Sequence, residues 1–259
     1  MNRIDTLFEN KASGILSVYM TAGYPGLDDT VPVIRELALN GVDLIEIGIP
    51  FSDPLADGPL LQECNKKALD NGMSLKILFR QIENIRETTN IPLILMGYLN
   101  PVLSYGFEDF CRKASAVGID GMILPDLPVD EYNSRYMEIC EKYGLYMIFL
   151  ITPQTGEERI MQIAGSSKGF IYMVSAASTT GAKQGFQREQ IDYFSRIEKM
   201  ALPLPRLIGF GISSGETFEE ACQYANGAII GSAFMKSLSA EASLERKISE
   251  FVRQIRQTS

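Results

Sequence analysis

The sequence predicts an α/β fold: a single (β/α)8 TIM barrel with an extra helix at its N-terminus. The length of 259 residues is close to the roughly 250 residues of a typical barrel of this kind. Eight short apolar runs alternate with longer amphipathic segments along the chain. Each run is almost continuously hydrophobic, which is typical of parallel strands buried on both faces. We therefore expect one domain that spans residues 1–259.

The number of predicted strands helps to decide between two α/β architectures. The strands are expected at residues 15–21, 42–48, 91–98, 119–126, 145–152, 169–175, 206–212 and 226–232. The main alternative is an open, doubly wound sheet, which often carries a G-x-G-x-x-G motif after its first strand. No such motif follows the first run, and eight strand–helix units within this length favour closure into a barrel.

Helical periodicity is found between the predicted strands. Apolar residues recur three or four positions apart in residues 29–40 and 74–88, which predicts one buried face on each helix. Residues 216–225 follow a Ser-Ser-Gly-Glu segment that resembles a helix start. Residues 1–8 precede the first strand and are expected to form the extra helix.

The composition limits the classes of function. A formal net charge of −8 at pH 7 argues against a surface for nucleic acids or anionic membranes. The first fifteen residues carry several charged side chains and lack the apolar segment of a secretory signal. No run approaches the ~18 apolar residues of a membrane span. We therefore expect a cytoplasmic protein.

The chain contains no histidine, and its 4 cysteines are widely spaced without a C-x-x-C pair. This composition argues against a zinc site, and we expect no bound metal. It also excludes Ser-His-Asp triads, Cys-His pairs and imidazole acid–base catalysis. Proton transfer must therefore fall to carboxylate, lysine, tyrosine or cysteine side chains.

The segment EIGIPFSDPLADGP, residues 46–59, carries the strongest signal for an active site. Glu46 lies inside the second predicted strand, and Asp53 and Asp57 lie in the loop that follows it. Barrel enzymes hold their sites at this end of the strands, and two carboxyl groups there can divide the roles of proton donor and charge stabiliser. In the alternative interpretation, Glu46 forms a buried ion pair and the aspartates only shape turns.

Glycine-rich segments follow the sixth, seventh and eighth predicted strands, at residues 179–182, 209–216 and 227–233. Barrels often bind phosphate at this place through loop N–H groups and the N-terminus of a short helix. Glycine lets the phosphate oxygens approach those donors closely. Such turns also arise for reasons of chain geometry alone.

The side chains of Tyr98 and Tyr172 face either a pocket or the core.

Several segments resemble the tryptophan synthase alpha chain family over essentially the whole length. The most specific of them is IEIGIPFSDPLADGP. The others follow in the family's order: TAGYPG at 21–26, GYLNPVLSYG at 97–106, PDLP at 125–128, STTGAK at 178–183, GFGIS at 209–213 and GSA at 231–233.

The resemblance implies a lyase that cleaves indole-3-glycerol phosphate by a retro-aldol reaction into indole and glyceraldehyde 3-phosphate. It implies that Glu46 is the general acid and base and that Asp57 binds the indole N–H. The implied phosphate-binding residues are Gly181, Gly211, Gly231 and Ser232. The implied substrate-binding residues are Tyr19, Met96, Tyr98, Tyr172 and Phe210, with Thr180 meeting Asp57 when the sixth loop closes.

The resemblance also implies a partner, the beta chain, in an α2β2 heterotetramer. Pyridoxal phosphate would belong to that partner, so no cofactor is expected in this chain. The expected contact surface comprises residues 50–62, 98–106 and 176–186. The sixth loop departs from the family pattern, because many relatives have Arg and Gly at the positions of Ala176 and Ser178. Leu60 is a further departure.

Three alternative functions remain open from the sequence. The altered sixth loop fits a regulatory subunit that mainly activates a beta chain. Another phosphate-binding barrel, such as indole-glycerol phosphate synthase, would need a lysine at a strand end, and the eight runs contain none. A lyase that releases free indole without a partner is the third alternative.

Overall fold

The computed structural model describes residues 1–175 and 185–257, and its centre is a sheet of parallel strands. The strands are β1 (Ile15–Thr21), β2 (Leu44–Gly48), β3 (Leu93–Met96), β4 (Gly121–Ile123), β5 (Tyr146–Met147), β6 (Leu150–Ile151), β7 (Ile171–Val174), β8 (Arg206–Gly209) and β9 (Gly227–Ile230). They are ordered β5-β4-β3-β2-β1-β9-β8-β7-β6. Each predicted strand therefore contains an observed one.

The fifth predicted strand is observed as two short segments, because its two halves pair with different neighbours. β5 pairs with β4, whereas β6 pairs with β7. Between them, Ile148 N donates to Met122 O at 3.0 Å and Phe149 O accepts from Tyr172 N at 3.0 Å. Strands in a barrel are tilted and staggered, so such an offset along one strand is expected. This continuous segment closes the eight-stranded barrel that the sequence predicts.

The helices are α1 (Arg3–Asn10), α2 (Thr30–Leu39), α3 (Pro59–Asp70), α4 (Leu75–Gln81), α5 (Leu99–Tyr105), α6 (Phe107–Ala116), α7 (Val129–Glu131), α8 (Met137–Lys142), α9 (Glu157–Ser166), α10 (Arg188–Lys199), α11 (Gly215–Cys222), α12 (Ser232–Ser237) and α13 (Leu244–Arg256). A π-helical segment, Tyr132–Tyr136, joins α7 to α8. Within the described residues, no helix is both long and apolar enough to span a membrane.

The helix predicted at residues 74–88 is shorter than expected. α4 ends at Gln81, and a 3-10 turn at Ile85–Glu87 follows it. Ile82, the residue that follows α4, is completely buried. The apolar periodicity therefore continues across the break. In the tighter turn, Arg86 Nε donates to Gly118 O at 2.9 Å, which ties this segment to the start of β4.

Alternating residues of the strands build two cores. Leu44 of β2 belongs to an apolar cluster inside the barrel, whereas Ile45 and Ile47 belong to the cluster between strands and helices. The inner cluster also contains Ile4, because α1 covers the end of the barrel where the strands begin. The Asn2 side chain caps α1 by accepting a hydrogen bond from Ile4 N at 3.0 Å.

Two acidic residues fasten this lower end of the barrel. Asp120, which precedes β4, forms ion pairs with Arg3 at 3.0 Å and with Arg86 at 2.6 Å. Asp43, which precedes β2, pairs in the same way with Lys11 at 2.7 Å and with Arg256 at 2.6 Å. Both carboxylates also accept a backbone N–H at 2.8 Å, from a residue at or next to a strand. The terminal helices are thus tied to the barrel by paired charges.

Candidate active site

Glu46 lies in the middle of β2 and is completely buried. Because Ile45 and Ile47 pack outward, the side chain of Glu46 points into the barrel. The hydroxyl of Ser17 on β1 donates a hydrogen bond to Glu46 Oε1 at 3.1 Å. Glu46 Oε2 has no hydrogen-bond partner within residues 1–175 and 185–257. One oxygen of the carboxyl group thus accepts a hydrogen bond, and the other has no hydrogen-bond partner among the described residues.

Burial raises the pKa of Glu46 from its ordinary 4.5 to about 8, and the hydrogen bond from Ser17 acts in the opposite direction. The protonated form therefore predominates at pH 7. Tyr172 lies nearby, and the charge of Glu46 adds to burial in raising the pKa of the phenol well above its usual value. Glu46 is thus a neutral carboxylic acid in an apolar surrounding, able to donate a proton.

The loop after β2 holds a second acid, Asp57, while Asp53 in the same loop is exposed. Asn65 on α3 is buried and fixes this loop at both ends. Its side chain accepts from Phe51 N at 3.2 Å and donates to Asp57 Oδ2 at 3.4 Å. Burial raises the pKa of Asp57 from 3.8 to about 6. Asp57 is therefore mostly ionised at pH 7, in contrast to Glu46.

A cavity of about 50 Å³ opens among the carboxyl ends of the strands. Five residues singled out from the sequence line it: Tyr19, Asp57, Met96, Tyr98 and Phe210. The sequence argument did not single out the other lining residues, Ile49, Ala56, Asn65, Gly97, Pro125 and Leu150. Glu46 and Tyr172 are buried and do not belong to this lining.

Two tyrosine rings lie across neighbouring strands, and a glycine makes room for each of them. A Cβ atom at Gly48 would lie 2.2 Å from the Tyr19 hydroxyl oxygen, and one at Gly209 would lie 2.3 Å from that of Tyr172. Any side chain at these two positions would displace the rings. The Tyr172 ring also meets the Phe210 ring edge-on, with 6.3 Å between centroids. These contacts shape the apolar floor and wall around the acids.

The loops after β8 and β9 lie side by side, because these strands are neighbours. Phe210 and Gly211 both have left-handed backbones, with φ of 70° and 79°, and Ser175 Oγ donates to Phe210 O at 2.6 Å. Gly231 precedes α12, and a Cβ atom there would lie 3.5 Å from Tyr19 Cβ. The start of α12, where Ser232 is exposed, thus adjoins the cavity wall.

The start of α11 has donors that are already occupied. Ser214 Oγ accepts from Thr217 N at 3.3 Å, and Thr217 Oγ1 accepts from Ser214 N at 3.0 Å. The first N–H groups of α12 have no intrahelical acceptor, as at any helix start.

A family model described as "Tryptophan synthase alpha chain" matches residues 6–258. The chain belongs to the tryptophan synthase alpha chain family. The tryptophan synthase alpha chain of Flavobacterium johnsoniae is 59% identical over 257 residues, which cover 99% of this chain and 100% of that protein. The alpha chain of Flavobacterium psychrophilum is 56% identical, over 98% of this chain and 100% of that protein.

Solved structures of the tryptophan synthase alpha chain family share the fold. The alpha subunit from Legionella pneumophila matches with a TM-score of 0.89 and 33% identity, covering 99% of this chain and 98% of that chain. A tryptophan synthase structure from M. tuberculosis in an aminoacrylate-bound form matches with a TM-score of 0.86 and 28% identity, covering 98% of each chain. The predicted barrel and the predicted family are both confirmed.

Tryptophan synthase alpha chains are lyases of tryptophan biosynthesis that cleave indole-3-glycerol phosphate into indole and glyceraldehyde 3-phosphate. Part of the site expected from the family lies outside the described residues, namely Thr180, Gly181, Ala176 and Ser178 of the sixth loop. Of the remaining expected residues, five line the cavity, namely Tyr19, Asp57, Met96, Tyr98 and Phe210. Glu46, Tyr172, Gly211, Gly231 and Ser232 are not among its lining residues.

Two polar residues of the site were missed in the sequence, although a signal was present. Ser17 lies between Ile15 and Tyr19 on the inward face of β1 and is completely buried. Asn65 lies on the buried face of α3 together with Cys64 and is 2% exposed. A polar residue at a buried position of a periodic pattern needs a partner. Ser17 donates to Glu46, and Asn65 donates to Leu61 O at 2.8 Å as well as to Asp57.

Proposed function

We propose that in this chain Glu46 moves the protons of the retro-aldol cleavage and Asp57 stabilises the charge that develops. One observation carries this proposal: Glu46 is buried with Oε2 unpaired within the described residues while Asp57 lines the cavity, and burial raises the pKa of Glu46 to about 8 and that of Asp57 to about 6. Carboxyl groups whose surroundings separate their pKa values can divide the roles of acid and anion. At pH 7 the site therefore offers one proton donor and one negative charge.

The proposed reaction starts when Glu46 donates its proton to C3 of the indole ring, which places positive charge on the ring nitrogen. Asp57 accepts a hydrogen bond from the ring N–H and stabilises that charge. The carboxylate of Glu46 then takes the proton of the glycerol hydroxyl, and the carbon–carbon bond breaks. Its electron pair returns to the ring, so indole and glyceraldehyde 3-phosphate leave and Glu46 is protonated again.

The cavity suits the indole ring in this proposal. Tyr19, Met96, Tyr98 and Phe210 supply an apolar, largely aromatic wall beside Asp57. Tyr172 is proposed to lie against the ring from behind this wall, where its neighbour is Phe210.

The phosphate is proposed to bind at Gly211, Gly231 and Ser232, with Gly181 added from the sixth loop. Support comes from Gly231, which immediately precedes α12 and adjoins Tyr19 of the cavity lining, because the first N–H groups of a helix can bind an anion. Thr180 is proposed to contact Asp57 when the sixth loop closes over the substrate, which would exclude water from the intermediate.

The proposal includes the tryptophan synthase beta chain as partner, in an α2β2 heterotetramer. Pyridoxal phosphate would be held by that partner, so this chain itself would need no cofactor. The proposed contact surface is residues 50–62, 98–106 and 176–186. Two exposed leucines on it support an apolar interface: Leu55 is 91% exposed and Leu103 is 45% exposed.

The proposal treats residues 1–259 as one domain, which the single closed sheet supports.

The proposal also places the protein in the cytoplasm. All 4 cysteines are free thiols, which suits a reducing compartment because disulfides are rare there.

The experiment that tests the site is a crystal structure with indole-3-propanol phosphate, an unreactive substrate analogue, in the complex with the beta chain. We expect the phosphate beside Gly211, Gly231 and Ser232, and the ring N–H within hydrogen-bond distance of Asp57. Phosphate bound away from the ends of β8 and β9 would overturn the assignment.

The contact surface is tested separately with Leu55→Asp and Leu103→Asp. A buried charge in an interface is unfavourable, so we expect the affinity for the beta chain to fall by roughly 10-fold or more for each. Leu39→Asp on α2 is the matched control, because Leu39 is also exposed (68%) but lies outside the proposed surface. Equal affinities for all three variants would contradict the assignment.

A further inference from the structure

Ser17 is a small polar residue on the inward face of β1, in a layer whose neighbours on β2 and β9 are apolar. Ser17 is completely buried. It lies opposite Leu44 on β2 and Ile229 on β9, which both belong to the inner apolar cluster. An apolar side chain would satisfy packing at such a position without the cost of burying a hydroxyl. The presence of serine therefore calls for a reason other than packing.

We propose that Ser17 is the positioning residue of Glu46, holding Oε1 with its hydroxyl so that Oε2 is the oxygen that exchanges protons with the substrate. This inference rests on the proposed role of Glu46. Ser17 touches the carboxyl group and not the cavity, so it acts only through Glu46.

The strand register explains why these two side chains meet. Glu46 is paired with Tyr19, two residues beyond Ser17 on the same face of β1. Ser17 therefore lies one inward layer deeper than Glu46 and meets it diagonally, a separation that a glutamate side chain can span. The hydrogen bond of 3.1 Å directs Oε1 toward the barrel interior. The second oxygen, which has no partner in residues 1–175 and 185–257, is left for the reaction.

The hydrogen bond also has an electrostatic consequence. A hydroxyl that donates to a carboxylate stabilises the charged form, and so it limits the rise in pKa that burial causes. Within the described residues, the other titratable side chains near Glu46 are the phenol of Tyr172 and that of Tyr19, its partner on β1, with Asp57 in the loop that follows β2. Burial raises the pKa of both phenols, so they are neutral at pH 7. Ser17 is thus the group that tunes Glu46 toward releasing its proton.

A pair of isosteric variants tests this role. Ser17→Thr keeps the hydroxyl, whereas Ser17→Val replaces it with a methyl group in the same shape. We would measure indole formation from indole-3-glycerol phosphate against pH, in the complex with the beta chain. For Ser17→Val we expect kcat to fall on the order of tenfold with little change in KM. We also expect its upper pH limb to move upward by about one unit, because the carboxylate loses its donor.

The expected result for Ser17→Thr is a pH profile close to that of the unchanged chain. Identical pH limbs for the Thr and Val variants would overturn the inference, and so would a change confined to KM. Should Ser17→Val not fold, Ser17→Ala makes the same prediction with a smaller side chain. Titrating Glu46 in the Ala variant by its carboxyl infrared band is a readout that needs no turnover, and an unshifted titration would reject the role.

Two controls separate this inference from the proposed function. Ser167→Ala removes another buried hydroxyl, one that accepts from Phe149 N at 3.3 Å, and should leave the pH profile unchanged. Glu46→Gln tests the acid itself. If Glu46→Gln stays active, the proposed function fails. If Glu46→Gln is inactive while Ser17→Val and Ser17→Thr behave alike, only the role of Ser17 fails.

Discussion

Carboxyl groups are buried at both ends of this barrel, but their neighbours differ. At the lower end, Asp120 is 3% exposed and is held by Arg3, Arg86 and a backbone N–H. At the upper end, Glu46 is completely buried and has one hydrogen bond from a neutral hydroxyl. Asp57 beside it has an amide as its side-chain partner, at 3.4 Å.

The partners decide what each acid does. A buried carboxylate that pairs with two guanidinium groups fastens the chain, because the opposite charges compensate each other. A buried carboxyl group without a cation gains a raised pKa, which destabilises the fold when it ionises but suits proton transfer. At the lower end of the barrel, the ion-paired carboxylates thus help to hold the fold together. At the upper end, the buried carboxyl group lowers stability when it ionises but can take part in proton transfer.

The sharpest test of this contrast is Glu46→Gln, which should have opposite effects on activity and on stability. We expect indole formation to fall by roughly 10³-fold, because the amide cannot exchange the proton. The folded chain holds the proton of Glu46 up to about pH 8, whereas the unfolded chain loses it near 4.5. Stability from this group is therefore lost as pH rises between these values.

Because glutamine does not titrate, the variant should be more stable than the unchanged chain at pH 8, by a few kcal/mol at most. The excess should disappear near pH 4. Chemical denaturation at both pH values measures this. Glu63→Gln, at an exposed position near the same loop, is the matched control and should change neither quantity. If Glu46→Gln is less stable than the unchanged chain at pH 8, the proposed contrast between the two ends of the barrel is wrong.

The reverse result is expected at the lower end. Asp120→Ala leaves Arg3 and Arg86 without their partner, and should lower the free energy of unfolding by about 3 kcal/mol. Turnover of the remaining folded protein should change little. The control is Asp70→Ala, which breaks an ion pair with Lys66 that is largely exposed and worth less than about 1 kcal/mol. A large loss of kcat in Asp120→Ala would remove the division between the two ends.

Asp57→Asn probes the charge rather than the proton at the upper end. We expect kcat to fall by roughly 10²-fold with a smaller change in KM, because the amide keeps the shape but not the negative charge. Asp53 lies four residues away on the exposed side of the same loop. The kcat of Asp53→Asn should therefore be nearly unchanged. Similar losses in both variants would mean that the loop acts through its turns alone.

The smallest expected effect is the pH dependence of the unchanged chain. Activity needs Asp57 ionised and Glu46 protonated, so kcat/KM should fall below about pH 6 and above about pH 8. Each limb should approach tenfold per pH unit. Steady-state rates between pH 5 and 9 would measure this, and the lower limb should be missing in Asp57→Asn. A profile that is flat from pH 5 to 9 would contradict both assignments.

Much of the fold was readable from local pattern. The eight apolar runs predict the strands because a parallel strand buried on both faces needs apolar residues at every position. Boundaries were less accurate: the helix predicted at 74–88 breaks after Gln81. The same apolar spacing fits an α-helical turn or a 3-10 turn, so periodicity alone does not distinguish them.

By itself, the sequence determined the barrel, the family and the two acids that deserve testing, since these follow from residue order and from motifs within one segment. Only the tertiary structure decided which acids have cations for neighbours and which do not. Ser17 and Glu46 are 29 positions apart, and Arg3 and Asp120 are 117 apart. The charge state of a buried carboxyl group depends on such distant neighbours, because burial and pairing are set by the folded chain.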